Sequence, residues 1–244
     1  MGDVGQGPGR DLPGDRQVAG GDARRDGAEH GGPGGGALSD IPAGYPRRGT
    51  ALGQRLAHGL LRLAGWRVEG LPPELPRFVL IVAPHTSNWD FPVCVLAMFA
   101  VRLHISWLGK HSLFRFPVTG LLRWLGGEPV HRGVAQGLVE QAIATFETRS
   151  QWVFGVAPEG TRRPVPDWRT GFLRVAAGAA VPVVPVTLDW SRRVLSILPP
   201  VPTTADLDAD LLRIRRLYRS SMARRPAGFI EVPAGPMEPG SPPG

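Results

Sequence analysis

The stretch that decides the fold is Phe78–Asp90, which reads FVLIVAPHTSNWD. Phe78–Ala83 is a continuous apolar run rich in β-branched residues, which predicts a strand buried on both faces of a sheet. A helix is expected directly afterwards, over residues 91–102, because Asp90 can cap its first turn and Pro92 is tolerated there. A buried strand that leads through a short turn into a helix is the repeating unit of parallel α/β proteins.

The alternation of strands and helices continues through the rest of the chain. Short apolar runs predict further strands, and apolar residues at helical spacing predict helices. The expected fold class is therefore α/β, with a mostly parallel mixed sheet flanked by helices. The other predicted strands are 104–108, 128–131, 152–156, 183–188 and 193–198, and the other predicted helices are 49–66, 117–125, 134–149, 170–179 and 207–224.

Composition indicates where the folded domain begins and ends. Residues 1–48 are dominated by Gly, Pro, Asp and Arg, so we expect a disordered N-terminal tail. Residues 49–232 carry the apolar patterning of a single domain, and residues 233–244 are expected to form a short disordered C-terminal tail. A chain of 244 residues is long enough for one such domain with a substantial core.

The positive charge lies outside the first 44 residues. The net charge is +7, and residues 1–44 hold four Arg and seven Asp or Glu, a balance of −3 that leaves +10 for the remainder. A basic body fits phospholipid headgroups, phosphorylated substrates or nucleic acid, although a GC-rich genome would also enrich Arg. No basic stripe is interleaved with aromatic residues, so a nucleic-acid partner is ranked last and is not expected.

The cysteine, histidine and hydropathy patterns limit the other classes of protein. Cys94 is the only cysteine, which excludes an intrachain disulfide and a thiolate metal cluster. The six histidines form no ligand-spaced group with carboxylates, so no metal is expected. The chain has no apolar leader and no apolar run near the ~18–20 residues that span a bilayer. We therefore expect a cytoplasmic protein, peripheral on the inner face of the plasma membrane.

The residues after the first buried strand can carry acid–base chemistry. His85 follows that strand, at the carboxyl end where α/β folds present ligands, and Asp90 comes five positions later. A tight turn could bring the carboxylate onto one ring nitrogen, which would leave the other free to take a proton from a substrate hydroxyl. The pair alone favours the simpler interpretation of a loop histidine beside a helix cap, since His and Asp at a short spacing are common.

Further polar residues follow other predicted strands. The turn Ala157–Arg163 precedes a helix and offers backbone amides and guanidinium groups that suit a phosphate. Gly127–Arg132 also ends on a cation, whereas the two prolines in Val181–Val186 favour an edge strand or a bulge. In isolation, Ala157–Arg163 could be an ordinary β-turn with solvated arginines. Taken together, these strand ends would place the His85–Asp90 pair in a site with a base on one side and phosphate ligands on the other.

Four blocks in this order resemble the glycerolipid acyltransferase superfamily, and specifically the bacterial lysophosphatidic acid acyltransferases. They are the HX4D block His85–Asp90, Gly127–Arg132, Ala157–Arg162 and Val181–Val186, and the resemblance covers residues 50–225. It implies a glycerol-phosphate acyltransferase-like fold and acyl transfer from acyl-CoA or an acyl-carrier protein to lysophosphatidic acid, with no cofactor. The family's usual aromatic, serine and acidic or Asn residues are replaced by Ala157, Arg163 and His131, which puts the acceptor in doubt.

The resemblance also implies roles for individual residues. His85 would be the general base and Asp90 the partner that orients it. The positions that would bind the acceptor's glycerol-phosphate part are Glu159, Gly160, Thr161, Arg162 and Arg132. The positions that would contact the acyl donor or shape its channel are Val181, Pro182 and Pro185. We add Lys110, the only lysine, as a further phosphate contact that the resemblance does not imply.

Several alternatives remain open at this stage. The acceptor could be glycerol 3-phosphate, another lysophospholipid or a glycolipid. The protein could also be a non-catalytic module that binds anionic membranes through its basic body. In the helix predicted over residues 49–66, Leu52, Leu56, Leu60 and Leu63 form a stripe that could pack on the core or lie at a membrane interface.

Overall fold

The computed structural model describes residues 44–130 and 136–233. Within these ranges the chain forms seven β-strands and six α-helices. The strands are β1 (Arg67–Glu69), β2 (Arg77–Ala83), β3 (Ser106–Lys110), β4 (Gly127–Val130), β5 (Trp152–Val156), β6 (Val183–Asp189) and β7 (Val194–Ile197). The helices are α1 (Ala51–Leu63), α2 (Asp90–Ala100), α3 (Thr119–Trp124), α4 (Gln136–Thr148), α5 (Gly171–Gly178) and α6 (Leu207–Arg215).

The seven strands form one mixed sheet in the order β1-β7-β6-β2-β5-β3-β4. β2 lies at its centre and runs parallel to both neighbours, β6 and β5. β3 and β4 run in the same direction, whereas β7 is antiparallel to β6 and β1 runs parallel to β7. The predicted mostly parallel mixed sheet flanked by helices is therefore confirmed.

β2 is buried on both faces, as its continuous apolar run predicts. Phe78 and Leu80 contribute to a core that includes buried residues of α1 and α2, and Val79 and Ile81 contribute to a second core with residues of α4, α5 and α6. None of these four side chains is more than 3% exposed. With both faces of the strand covered, ligands are expected at the strand ends.

The leucine stripe of α1 is not part of either core. The helix buries Ala57 and Leu61, whereas Leu56 and Leu60 are 59% and 52% exposed. Thr50 starts the helix, since its hydroxyl accepts a hydrogen bond from the Gly53 N–H at 3.1 Å. Of the two interpretations of the stripe, packing on the core does not hold within the described residues.

Residues 44–48 pack against the domain, although composition assigns them to the N-terminal tail. Tyr45 is 1% exposed, and the Pro46 carbonyl accepts a hydrogen bond from the His104 N–H at 2.8 Å. The boundary predicted at residue 49 is therefore too late, because a single buried aromatic ring anchors a segment that is otherwise poor in apolar residues. The rest of the predicted tails, 1–43 and 234–244, lies outside the described residues.

The C-terminal helix is shorter than its predicted range of 207–224. α6 ends at Arg215, where the N–H groups of Leu217 and Tyr218 bond three residues back instead of four and so tighten the last turn. Tyr218 then packs against Trp168, with 5.3 Å between ring centroids. The chain beyond this point continues in short 3₁₀ turns and reaches the turn that follows β2.

β6 occupies an interior position, although its prolines predict an edge or a bulge. Pro182 precedes the strand, which begins at Val183. The Pro185 carbonyl accepts a hydrogen bond from the Leu198 N–H at 2.9 Å, so the nitrogen of Pro185 faces the same side. The partner of Pro185 is Leu198, one residue beyond Ile197, where β7 ends. The N–H that Pro185 lacks would therefore not have bonded to any residue within β7.

Candidate active site

The turn between β2 and α2 brings the His85 and Asp90 side chains together. Asp90 is the first residue of α2, and its Oδ2 accepts a hydrogen bond from the Ser87 N–H at 2.7 Å. The same oxygen lies 3.4 Å from His85 Nδ1. The contact leaves Nε2, the other ring nitrogen of His85, for a substrate.

Asp90 is completely buried and is held at both carboxylate oxygens. Oδ1 accepts a hydrogen bond from the Trp190 Nε1–H at 2.8 Å, while Oδ2 takes the Ser87 N–H. Burial raises the pKa of Asp90, and the hydrogen bonds from Ser87 and Trp190 oppose that rise. The carboxylate is thus fixed in direction and is stabilised as an anion by neighbouring donors.

His85 is poised as a neutral imidazole. Burial lowers the pKa of His85 to about 4, and the positive charge of Arg162 contributes to the decrease. With a pKa this low the ring carries no proton on Nε2 at neutral pH when Nδ1–H faces Asp90. This protonation state allows it to accept a proton from a hydroxyl group.

Glu159 holds the backbone of His85 in place. The residue lies in the turn after β5 and is 6% exposed. Both of its carboxylate oxygens accept the His85 N–H, at 3.0 Å each. Burial raises the pKa of Glu159 to about 7, and the nearby negative charge of Asp90 adds to the increase. Its position beside His85 follows from the sheet order, since β2 and β5 are adjacent parallel strands.

The turn after Glu159 directs a guanidinium group towards the same place. Gly160 has a φ of +66°, and a Cβ atom there would lie 2.7 Å from Arg169 Nε, so a larger residue would be strained and crowded. The Thr161 hydroxyl accepts the Arg163 N–H at 3.3 Å. Arg162 Nε donates to the Ser87 carbonyl at 3.3 Å, which ties this turn to the one that carries His85.

The remaining predicted residues lie in different places. Lys110 is the last residue of β3, so it lies at the same carboxyl end of the parallel strands as His85. Arg132 lies outside the described residues. Val181 and Pro182 precede β6, at the amino end of the parallel strands, and Pro185 lies within β6. Residues 44–130 and 136–233 contain no group of three His, Cys, Asp or Glu side chains that could hold a metal ion.

An apolar cavity of about 40 Å³ lies between the sheet and the C-terminal half of α2. It is lined by residues of α2, β2, β6 and β7, including Cys94, Met98 and Val186. Burial raises the pKa of Cys94 to about 12, so its sulfur stays a thiol and serves as an apolar lining group.

Sequence reasoning missed the contribution of the C-terminal segment to this site. Trp190 follows directly after β6, and the only sequence signal is an indole donor at a strand end, which does not reveal that β6 lies beside β2. The Arg225 N–H donates to the Thr86 hydroxyl at 3.2 Å, which attaches residues beyond α6 to the same turn. Arg224 lies between the rings of Trp89 and Trp190, 5.3 Å and 4.7 Å from their centroids.

Comparison with known proteins gives consistent matches. Residues 69–189 match the family model described as Acyltransferase. The 1-acyl-sn-glycerol-3-phosphate acyltransferase of Escherichia coli K12 is 31% identical over 150 residues, covering 57% of this chain and 59% of that protein. The enzyme of the same name from Salmonella typhimurium LT2 is 33% identical over 139 residues, covering 52% and 54%.

One solved structure that matches is described as the 1-acyl-sn-glycerophosphate (LPA) acyltransferase, PlsC, from Thermotoga maritima. Its TM-score is 0.48 at 21% identity, and the match covers 66% of this chain and 76% of that chain. The present chain spans a little over half the length of the curated relatives that it matches.

Proposed function

Because the chain belongs to the glycerolipid acyltransferase superfamily through residues 69–189, we propose that it is an O-acyltransferase acting on a lysophospholipid. The donor is a fatty acyl thioester, either acyl-CoA or acyl-carrier protein. The acceptor is the free hydroxyl of lysophosphatidic acid, and the product is phosphatidic acid. The observation that carries the proposal is the His85 Nδ1 atom 3.4 Å from the buried Asp90 carboxylate, where burial lowers the pKa of His85.

The reaction requires no covalent enzyme intermediate and no cofactor. His85 Nε2 takes the proton of the acceptor hydroxyl as its oxygen attacks the thioester carbonyl carbon. The carbon–sulfur bond then breaks, and the thiolate leaves with the proton from His85. Orientation of the two substrates supplies much of the rate, and general-base assistance contributes a further ~10²–10⁴-fold.

The phosphate of the acceptor is assigned to cationic side chains, of which Arg162 contacts the turn that carries His85. Arg162 carries five N–H donors in a planar fork that suits a phosphate, and its charge already reaches His85. Lys110, the last residue of β3, and Arg132, which follows β4 in the sequence, are proposed as further phosphate ligands. Glu159 supports the acceptor site through the backbone of His85, together with the turn at Gly160 and Thr161. Val181, Pro182 and Pro185 are proposed to shape the acyl-donor channel away from the reacting atoms, since Val181 and Pro182 lie at the opposite end of the parallel strands from His85.

We also propose peripheral contact with an anionic membrane at its inner, cytoplasmic face. None of the described helices is long and apolar enough to cross a bilayer. The acceptor is itself a membrane lipid, and the exposed leucine stripe of α1 is accompanied by Arg55 and Arg62 without an acidic residue in that helix. Leucine and arginine side chains on one exposed helix suit the boundary between acyl chains and anionic headgroups.

A panel of acceptors distinguishes the proposed substrate from its rivals. The full chain is incubated with one labelled acyl-CoA and, separately, lysophosphatidic acid, glycerol 3-phosphate, lysophosphatidylcholine or a glycolipid. The highest kcat/KM is expected with lysophosphatidic acid. Faster acylation of another acceptor would replace the substrate but keep the reaction, and no consumption of thioester alongside vesicle binding would favour the non-catalytic module.

A further inference from the structure

Trp190 connects the end of β6 to the carboxylate that faces His85. Its indole N–H donates to Asp90 Oδ1 at 2.8 Å, across a separation of 100 residues. Asp90 Oδ2 is engaged elsewhere, by the Ser87 N–H and by the approach of His85 Nδ1. The two oxygens of this carboxylate therefore have different partners, and Trp190 determines which oxygen remains for the imidazole. Trp190 lies one residue beyond the segment that matches the family model.

Three contacts hold Trp190, two of them at the indole ring and one at the backbone. The Trp66 ring meets it edge-on, with 4.9 Å between centroids, and the Arg224 guanidinium lies 4.7 Å from its centroid. Its backbone N–H donates to the Met222 carbonyl at 2.8 Å. A tryptophan held in this way can point its one N–H donor in a constant direction. The support comes from the segment before β1 and from residues beyond α6.

The hydrogen bond matters because Asp90 is completely buried. A buried carboxylate favours its neutral form unless donors stabilise the anion. Loss of the indole donor would also allow the carboxylate to rotate so that neither of its oxygens faces the imidazole. A protonated or rotated Asp90 no longer holds the proton of His85 on Nδ1, and the imidazole could then carry that proton on Nε2, where it cannot act as a base.

We propose that Trp190 is a positioning residue that holds Asp90 in the orientation that keeps the His85 proton on Nδ1. Its effect on catalysis rests on the proposed acyl transfer, whereas its effect on the imidazole does not. The role differs from core packing, because it depends on one N–H group and not on the volume of the ring.

Two variants isolate that N–H group. Trp190→Phe keeps an aromatic ring and removes the donor. Incorporation of β-(3-benzothienyl)-alanine at position 190 keeps the bicyclic shape and replaces the N–H by sulfur. The matched control is Trp152→Phe, which removes an indole hydrogen bond of 2.9 Å to the buried Ser106 hydroxyl. This bond lies at the amino end of the parallel strands, away from His85.

Two measurements are made on each variant of the whole 244-residue chain. Steady-state kinetics with lysophosphatidic acid and acyl-CoA give kcat and both KM values. ¹⁵N NMR of histidine-labelled protein reports which ring nitrogen of His85 carries the proton, with the His85 signals assigned by their absence in His85→Gln.

We expect both Trp190 variants to lower kcat by about 10- to 100-fold, as for loss of a hydrogen bond to a charged group, with KM within about two-fold. Their spectra should show the Nε2–H form, and the Trp152→Phe spectrum should not.

Retention of the Nδ1–H form in the benzothienyl variant would overturn the proposal, as would an equal change of tautomer in Trp152→Phe. If the wild type acylates no acceptor but the tautomer changes only in the Trp190 variants, the proposed function fails and the positioning role stands.

Discussion

At the scale of single residues, burial displaces two pKa values in the candidate site in opposite directions. The pKa of His85 falls from 6.5 to about 4, and that of Glu159 rises from 4.5 to about 7. His85 therefore binds more protons when unfolded between pH 4 and 6.5, so its contribution to stability is lost as the pH falls through that window. Glu159 binds more protons when folded between pH 4.5 and 7, so its contribution is lost as the pH rises.

Glu159→Gln should separate these two contributions. The amide oxygen can still accept the His85 N–H, but the ionisation at position 159 is removed. The free energy of unfolding of the variant relative to the wild type should therefore increase from pH 4.5 to pH 7, with each unit of pKa displacement worth about 1.4 kcal/mol. Urea unfolding at a series of pH values measures the difference, with the exposed Glu147→Gln as the control. A difference that does not change with pH would show that Glu159 titrates normally.

Asp90→Asn tests the orientation of the imidazole by its partner. An amide cannot accept hydrogen bonds at both positions, so its NH₂ group must face either the Trp190 indole or His85. We expect kcat to fall by about 10²- to 10⁴-fold, the range of general-base assistance, with KM nearly unchanged. Asp210→Asn is the matched control, since Asp210 is also buried on a helix and accepts hydrogen bonds from Thr204 and Arg213. A kcat within two-fold of the wild type in Asp90→Asn would show that the carboxylate only shapes the turn.

At the scale of elements, the spacing of apolar residues predicts the strands and helices that are stabilised by burial in the core. The continuous apolar run of β2 specifies a strand covered on both faces, and the structure has one. β1 was missed because Arg67–Glu69 is a three-residue edge strand without apolar alternation, paired only with β7 among the described strands. The end of α6 was missed because Tyr218 continues the apolar spacing of the helix but packs against Trp168 outside it.

Helix α1 carries the prediction that belongs to this scale. Leu56→Asp together with Leu60→Asp should release the protein from vesicles of phosphatidylglycerol, because both side chains are exposed on the proposed membrane face. Sedimentation with the vesicles measures the bound fraction. Leu212→Asp is the control, since it is also exposed but lies on α6, which packs on the other face of the sheet. Unchanged sedimentation of the double variant would remove α1 from the membrane contact.

At the scale of the whole molecule, the candidate site arises from the order of the strands. β6, β2 and β5 are neighbours, so the residues that follow them converge: Trp190, His85 and Glu159. The sequence could predict His85 and Glu159, because each follows a recognisable buried strand within a family block. It could not predict the Trp190 contact, because no local pattern reveals that β6 lies beside β2 or that an indole donor reaches a helix 100 residues away.

Product identification with the wild type and His85→Ala tests acyl transfer by this centre most directly. Each protein is incubated with lysophosphatidic acid and acyl-CoA, lipids are identified by mass spectrometry, and circular dichroism confirms that the variant is folded. The wild type should form phosphatidic acid and free CoA in equal amounts, and His85→Ala should be slower by about 10²-fold or more. Near-wild-type formation of phosphatidic acid by folded His85→Ala, or release of free fatty acid alone by the wild type, would contradict transfer with His85 as the base.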